Sequence, residues 1–152
     1  MPRQSDCLEL QGSLGRLAGT AHSMEITIDA TGSAPAGIVW ERYMNPDMWS
    51  TWAPQISGVD YDGERLVADT SGRVEGPLWI RIDFRVLAVD EAAHTWTWQA
   101  WWQNRALGLT LTHGVESHPA GSRTWLTVDG FPGLVLPYVP IAKLALNQLV
   151  KS

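Results

Sequence analysis

Residues 123–150 read RTWLTVDGFPGLVLPYVPIAKLALNQLV, and this stretch decides the fold. Residues 123–129 alternate with the period of a strand that buries one face. Gly130 ends the alternation, and the chain is then almost wholly apolar until Lys143, Asn147 and Gln148. Pro132, Pro137 and Pro140 fall in the first half of this run, so a regular helix is expected from near Pro137 or Pro140 to the end. A membrane span is the rival reading, but prolines interrupt the run and it barely reaches the ~20 residues a span needs. An apolar helix packed into the mouth of a sheet accounts for the pattern more simply.

Strand patterns precede it without a break. Leu107, Leu109, Leu111, His113 and Val115 alternate with Gly108, Thr110, Thr112 and Gly114. In residues 95–102, Trp96, Trp98, Ala100 and Trp102 share one parity and Trp101 has the other. In residues 78–89, Leu78, Ile80, Ile82, Phe84 and Val86 oppose Arg81, Asp83 and Arg85. Those charges read as a solvated face with cross-strand ion pairs. Residues 56–61 and 65–70 read as two strands joined at Asp62-Gly63, a hairpin signal. The connections are short, which predicts an antiparallel meander.

The beginning of the domain differs. Residues 24–30 alternate as one strand, and Pro35 suits the first turn of a short helix carrying Ile38, Val39, Arg42 and Tyr43. Asn45-Pro46 breaks it and opens a second brief helix over residues 48–52, which Ala53-Pro54 closes. Trp49 and Trp52, three apart, share one side of that turn. They read as a plug between helices and sheet, with an indole in a pocket wall as the sharper alternative. The order predicts an α+β fold: one strand, two short helices, a long antiparallel sheet and a C-terminal helix. When such a sheet curves, the space between it and the helix is a natural ligand cavity.

With 152 residues, 45% of them hydrophobic, the chain suits one domain with a full core. A net charge of -5 argues against a general nucleic-acid binder, which needs a basic face. Cys7 is the only cysteine, which excludes an intrachain disulfide and a cysteine zinc site and fits a reducing, cytoplasmic setting. Residues 1–23 lack the continuous apolar segment of a secretory signal. They are read as a flexible leader, with a weak helix over residues 8–17 or a start at Met24 as alternatives, and residues 24–152 as one ligand-binding domain.

The chemistry-bearing residues are few. His113 shares parity with Leu109 and Leu111 and is expected to face inward, either as a core histidine or as a general acid or base. His94 and His118 sit near turns and are expected to be exposed. No His or carboxylate spacing suits a metal, and there is no nucleophile elbow, phosphate loop or dinucleotide fingerprint. Neither metal nor cofactor is expected.

Several local stretches resemble the START-like (SRPBCC) proteins of bacteria, of the polyketide cyclase/dehydrase type. Ala34-Pro35-Ala36 before Val39-Trp40, then residues 45–54 (NPDMWSTWAP), resemble their opening. Gly121-Ser122-Arg123-Thr124 into Leu126-Thr127-Val128, then Gly130 and a helix, resembles their close. The resemblance spans residues 24–150. It implies a helix-grip fold, a curved seven-stranded antiparallel sheet around the C-terminal helix, with a cavity that takes lipids, polyketides, quinones or similar molecules.

The inward face therefore predicts binding or carriage of a hydrophobic small molecule. The expected lining is Ile80, Ile82, Phe84, Trp96, Trp98, Trp102, Leu109, Leu111, His113 and Leu126, with Tyr138, Ile141 and Ala145 from the helix. A cyclase or dehydratase using His113 or Tyr138 in the same cavity is the alternative, though no acid/base pair marks it. An interaction module that presents the apolar helix is a third reading. The expected partner is a small molecule rather than nucleic acid or stable membrane insertion, and the expected state is a monomer or weak homodimer.

Overall fold

In a computed structural model describing residues 23–104 and 108–152, the alternating segments pair into one seven-stranded antiparallel sheet. Met24–Gly32 forms β1, followed by α1 (Ala36–Met44), a 3-10 turn (Pro46–Met48) and α2 (Trp49–Trp52). The meander is β2 (Gly58–Tyr61), β3 (Ser71–Glu75), β4 (Arg81–Asp90), β5 (Thr95–Trp101), β6 (Gly108–His118) and β7 (Gly121–Gly130). α3 spans Pro132–Leu149. Strand order is β1-β7-β6-β5-β4-β3-β2, so α1 and α2 carry the chain from one edge of the sheet to the other. α3 lies across the concave face, chiefly against β1 and β7. The expected leader, residues 1–23, lies outside the described residues except for Ser23, and so does Leu107.

Three expected boundaries move, each for a physical reason. Residues 65–70 are not a strand; the second strand of that hairpin begins at Ser71. Leu66 is instead buried, its N–H donating to the Met44 carbonyl at 2.9 Å, while Arg65 pairs with Glu41 and Glu91, each at 2.7 Å. These contacts strap the loop over α1, outweighing the local Asp62-Gly63 turn preference. β4 starts at Arg81 rather than Leu78, because Pro77–Trp79 makes a 3-10 turn in which Leu78 and Trp79 have φ of 57° and 60°. Bulky residues rarely hold that left-handed conformation. α3 starts at Pro132, well before the expected Pro137 or Pro140, and both of these lie inside it. Pro132 sacrifices nothing at the first helical position. The lost bonds at the other two are offset by packing of Val135, fully buried, and Tyr138 against the sheet.

The outer face of β3 and β4 carries the expected ion pairs, with Arg73 bound to its cross-strand neighbour Asp83 at 3.0 Å. The end of α3 is tied down by α1. Arg42 donates to the carbonyls of Leu149 and Lys151, both at 2.6 Å, and the N–H of Ala34 donates to Val150 at 2.9 Å. A cation at the open carbonyls of a helix C-terminus satisfies both their lone pairs and the helix dipole. Gly32 makes this approach possible, since a Cβ there would lie 2.3 Å from the Val150 carbonyl oxygen. Arg42→Ala should lower unfolding stability by about 2 kcal/mol, seen as a lower urea midpoint with an unchanged slope.

Candidate functional site

Inward residues form rows across the strands, and the rows explain where space remains. One row runs Val89, Trp96, His113, Leu126, Ile28, and the next Val86, Trp98, Leu111, Val128, Ile26. The third runs Phe84, Ala100, Leu109, Gly130, Met24. The first two rows hold two indoles and an imidazole and leave little space. The third holds Ala100 and Gly130, side chains too small to reach α3. A bulge at Leu87 shifts the register of β4 beyond Val86, which brings Val89 opposite Trp96 and leaves Ile82 and Phe84 facing inward.

The unfilled end is a cavity of about 380 Å³ between β3–β6 and the first half of α3. Ile80, Ile82, Trp98, Trp102, Leu109, Leu111, Tyr138 and Ile141 line it, all expected from sequence. Its wall is almost entirely apolar and, among the described residues, contains no charged side chain. Gln55, Ile56, Trp101 and the α3 residues Leu134 and Pro137 also line it. Sequence parity missed these. Trp101 sits at the end of β5, where alternation no longer dictates which side chain reaches the cavity. Leu134 and Pro137 were missed because the helix was expected to begin later.

Behind Trp98 lies a second, smaller space of about 30 Å³. Trp96, Trp98, His113, Leu126, Tyr138 and Ala145 line it, joined by Trp49, Trp52 and Gln55. Trp98, Tyr138, Gln55 and Ile56 border both spaces. Trp49 and Trp52 thus are both plug and wall. Their indole N–H groups donate to the carbonyls of Tyr43 (2.8 Å) and Arg42 (3.2 Å), which fixes the rings. Phe84 lines neither space. It is fully buried between Tyr61, Trp49 and Trp98, so its inward parity puts it in the solid core.

His113 is buried and stacked on Trp96, with ring centroids 4.7 Å apart and planes 11° from parallel. Tyr43 lies 4.9 Å away, but its hydroxyl donates to Thr124, whose own proton goes to the Gly114 carbonyl at 2.8 Å. Neither ring nitrogen of His113 has a hydrogen-bond partner among the described residues. Burial alone pushes its pKa from 6.5 down to about 3, so the ring is neutral. Burial also pushes the Tyr138 phenol up to about 12. His94 is not simply exposed: it stacks on Trp40 at 5.0 Å, whereas His118 is exposed as expected.

The buried histidine carries a pH signature. Below pH 6.5 the unfolded chain binds a proton at this residue that the folded protein excludes until about pH 3. Its contribution therefore lowers stability on acidification through that window by about 1.4 kcal/mol per pH unit. Chemical denaturation of His113→Leu between pH 6.5 and 5 should show a shallower decline than the native chain by that amount; identical slopes would contradict the burial.

Among the described residues no group of His, Cys, Asp or Glu is placed to hold a metal ion, and no helix is long and apolar enough to cross a membrane. No family model matches the sequence, and no curated protein matches it. Solved structures do match in three dimensions. Ara h 8.0201 has 12% identity and a TM-score of 0.64, covering 84% of this chain and 97% of its own. Ginseng major latex-like protein 151 from Panax ginseng has 11% identity and a TM-score of 0.67, covering 85% and 98%. At such identities the likeness concerns the backbone, and with the curved sheet and gripped helix it shows that this chain has the helix-grip fold.

Proposed function

We propose that the protein binds or carries a hydrophobic small molecule, of a lipid, polyketide or quinone-like class, between the sheet and α3. The observation that carries this reading is the 380 Å³ cavity, whose wall of apolar and aromatic side chains bears no charge among the described residues. Ligand sites of this size are typically apolar concavities with few polar groups. The helix-grip fold supports the reading, since it builds such a space by design of its layers. His113 and Tyr138 remain the residues a cyclase or dehydratase would use. However, a neutral histidine with no hydrogen-bonded partner and a phenol near 12 are poorly tuned for proton transfer at neutral pH. We favour binding without catalysis, by a monomer or weak homodimer in a cytoplasmic setting, in line with the single cysteine and the acidic balance.

Native mass spectrometry of the purified protein tests this. Challenge with neutral fatty alcohols, quinones and flat aromatic ketones should give a one-to-one adduct with at least one class. An unchanged mass through the whole series would reject the reading.

A further inference from the structure

The small space behind Trp98 has an unusual chemistry for its size. The indole Nε1 atoms of Trp96 and Trp98, both ring nitrogens of His113 and the Oε1 of Gln55 are buried, and none has a hydrogen-bond partner among the described residues. All four residues line this one recess. An unpaired buried polar group costs about 1–3 kcal/mol, so natural chains rarely leave several together. Elsewhere in this core the same groups are satisfied: Trp49, Trp52 and Trp40 each donate their indole N–H to an oxygen. The unpaired set is confined almost wholly to the recess, with Ser122 the only other buried side chain of this kind among the described residues.

The balance of donors and acceptors selects what fits. An indole N–H only donates, and a neutral imidazole donates from one nitrogen and accepts at the other. The unpaired buried atoms thus comprise three donors and two acceptors, beside the Tyr138 side chain on the same wall, and among the described residues no cation borders either space. A carbonyl oxygen, with two lone pairs, answers two of the donors; a hydroxyl answers a donor and an acceptor. An ionised carboxylate or phosphate would be desolvated with no counter-charge, which is strongly unfavourable. About 30 Å³ is room for one oxygen-bearing group and no more. The larger cavity meets the recess along Trp98, Gln55, Ile56 and Tyr138.

We infer that the ligand is an uncharged apolar molecule with a carbonyl or hydroxyl at one end. That oxygen is seated in the recess among Trp96, Trp98, His113 and Gln55 while the apolar body fills the larger cavity. This rests on the binding reading above and narrows it from any hydrophobic molecule to a neutral, oxygen-headed one.

The test uses two flat molecules of nearly one shape, 9-fluorenone and fluorene, with fluorene-9-carboxylate as the charged counterpart. Affinities come from quenching of tryptophan fluorescence, and the fluorenone carbonyl stretch is read by infrared spectroscopy. Fluorenone should bind at least about tenfold more tightly than fluorene, its carbonyl stretch should move to lower frequency on binding, and the carboxylate should bind more weakly than either. His113→Leu and, separately, Trp96→Phe should each lower the ratio of fluorenone to fluorene affinity by at least about threefold. Two variants guard against one that fails to fold. Equal affinity for fluorenone and fluorene, or a carbonyl frequency like that in hydrocarbon solvent, would overturn the oxygen-headed ligand and leave the apolar cavity standing. Absence of binding by both neutral molecules would overturn the cavity reading and this inference with it.

Discussion

Ala100→Trp should abolish binding of an apolar ligand, weakening it at least about a hundredfold, or nearly 3 kcal/mol, while the protein stays folded. Ala100 sits in the one inward row that its neighbours do not fill, between Phe84 on β4 and Leu109 on β6. It lines the cavity directly. An indole there would occupy the volume the ligand needs, and it would bury its own apolar surface against α3 as the ligand does. The cost in overpacking is limited because the side chain grows into space rather than into neighbours. The measurement is an affinity titration paired with a denaturation curve. Loss of binding with an unchanged urea midpoint supports the cavity; unchanged binding places the ligand elsewhere.

The largest stability effect should come from Trp49→Ala, about 3–5 kcal/mol. Trp49 is 1% exposed and sits at the centre of the aromatic cluster, its ring 5.4 to 5.8 Å from those of Phe84, Trp96 and Trp98. Removing it also leaves the Tyr43 carbonyl without its donor. The same substitution at Trp79, which is 93% exposed, should change stability by no more than about 0.5 kcal/mol. Urea melts of both variants check the contrast. A small loss at Trp49 would mean that the short helices are not integral to the core.

How much of this was legible in the sequence depends on what set each feature. Alternation in residues 81–86, 95–101 and 123–129 states which side chains face the core, because a strand has period two and the sheet has one dry face. Hence eight of the thirteen expected lining residues border the cavity, and Trp96, His113, Leu126 and Ala145 border the recess behind it. Parity could not separate cavity wall from solid core, which is why Phe84 was placed with the lining. That distinction depends on the small Ala100 and Gly130 in the neighbouring row and on where α3 crosses it. The helix start at Pro132 was equally hidden, since local preference argues against prolines inside a helix and only tertiary burial of Val135 and Tyr138 reverses it. The unpaired nitrogens of Trp96, Trp98 and His113 lay beyond any sequence pattern. Partners of buried polar groups are set by contacts between distant segments.

The most direct test of ligand binding between sheet and helix is a two-dimensional 1H–15N spectrum of the indole N–H groups during titration with 9-fluorenone. The chain has nine tryptophans, each a reporter at a known place, assigned by single Trp→Phe substitutions. Trp98, Trp101 and Trp102 border the cavity and Trp96 the recess, whereas Trp40 packs on His94, Trp125 of β7 pairs with Gly114 of β6 and lines neither space, and Trp79 is exposed on a turn. The account predicts saturable shifts for Trp96, Trp98, Trp101 and Trp102, with Trp40 and Trp125 unmoved. Shifts confined to Trp79, Trp40 or Trp125, or none at saturating ligand, would contradict it.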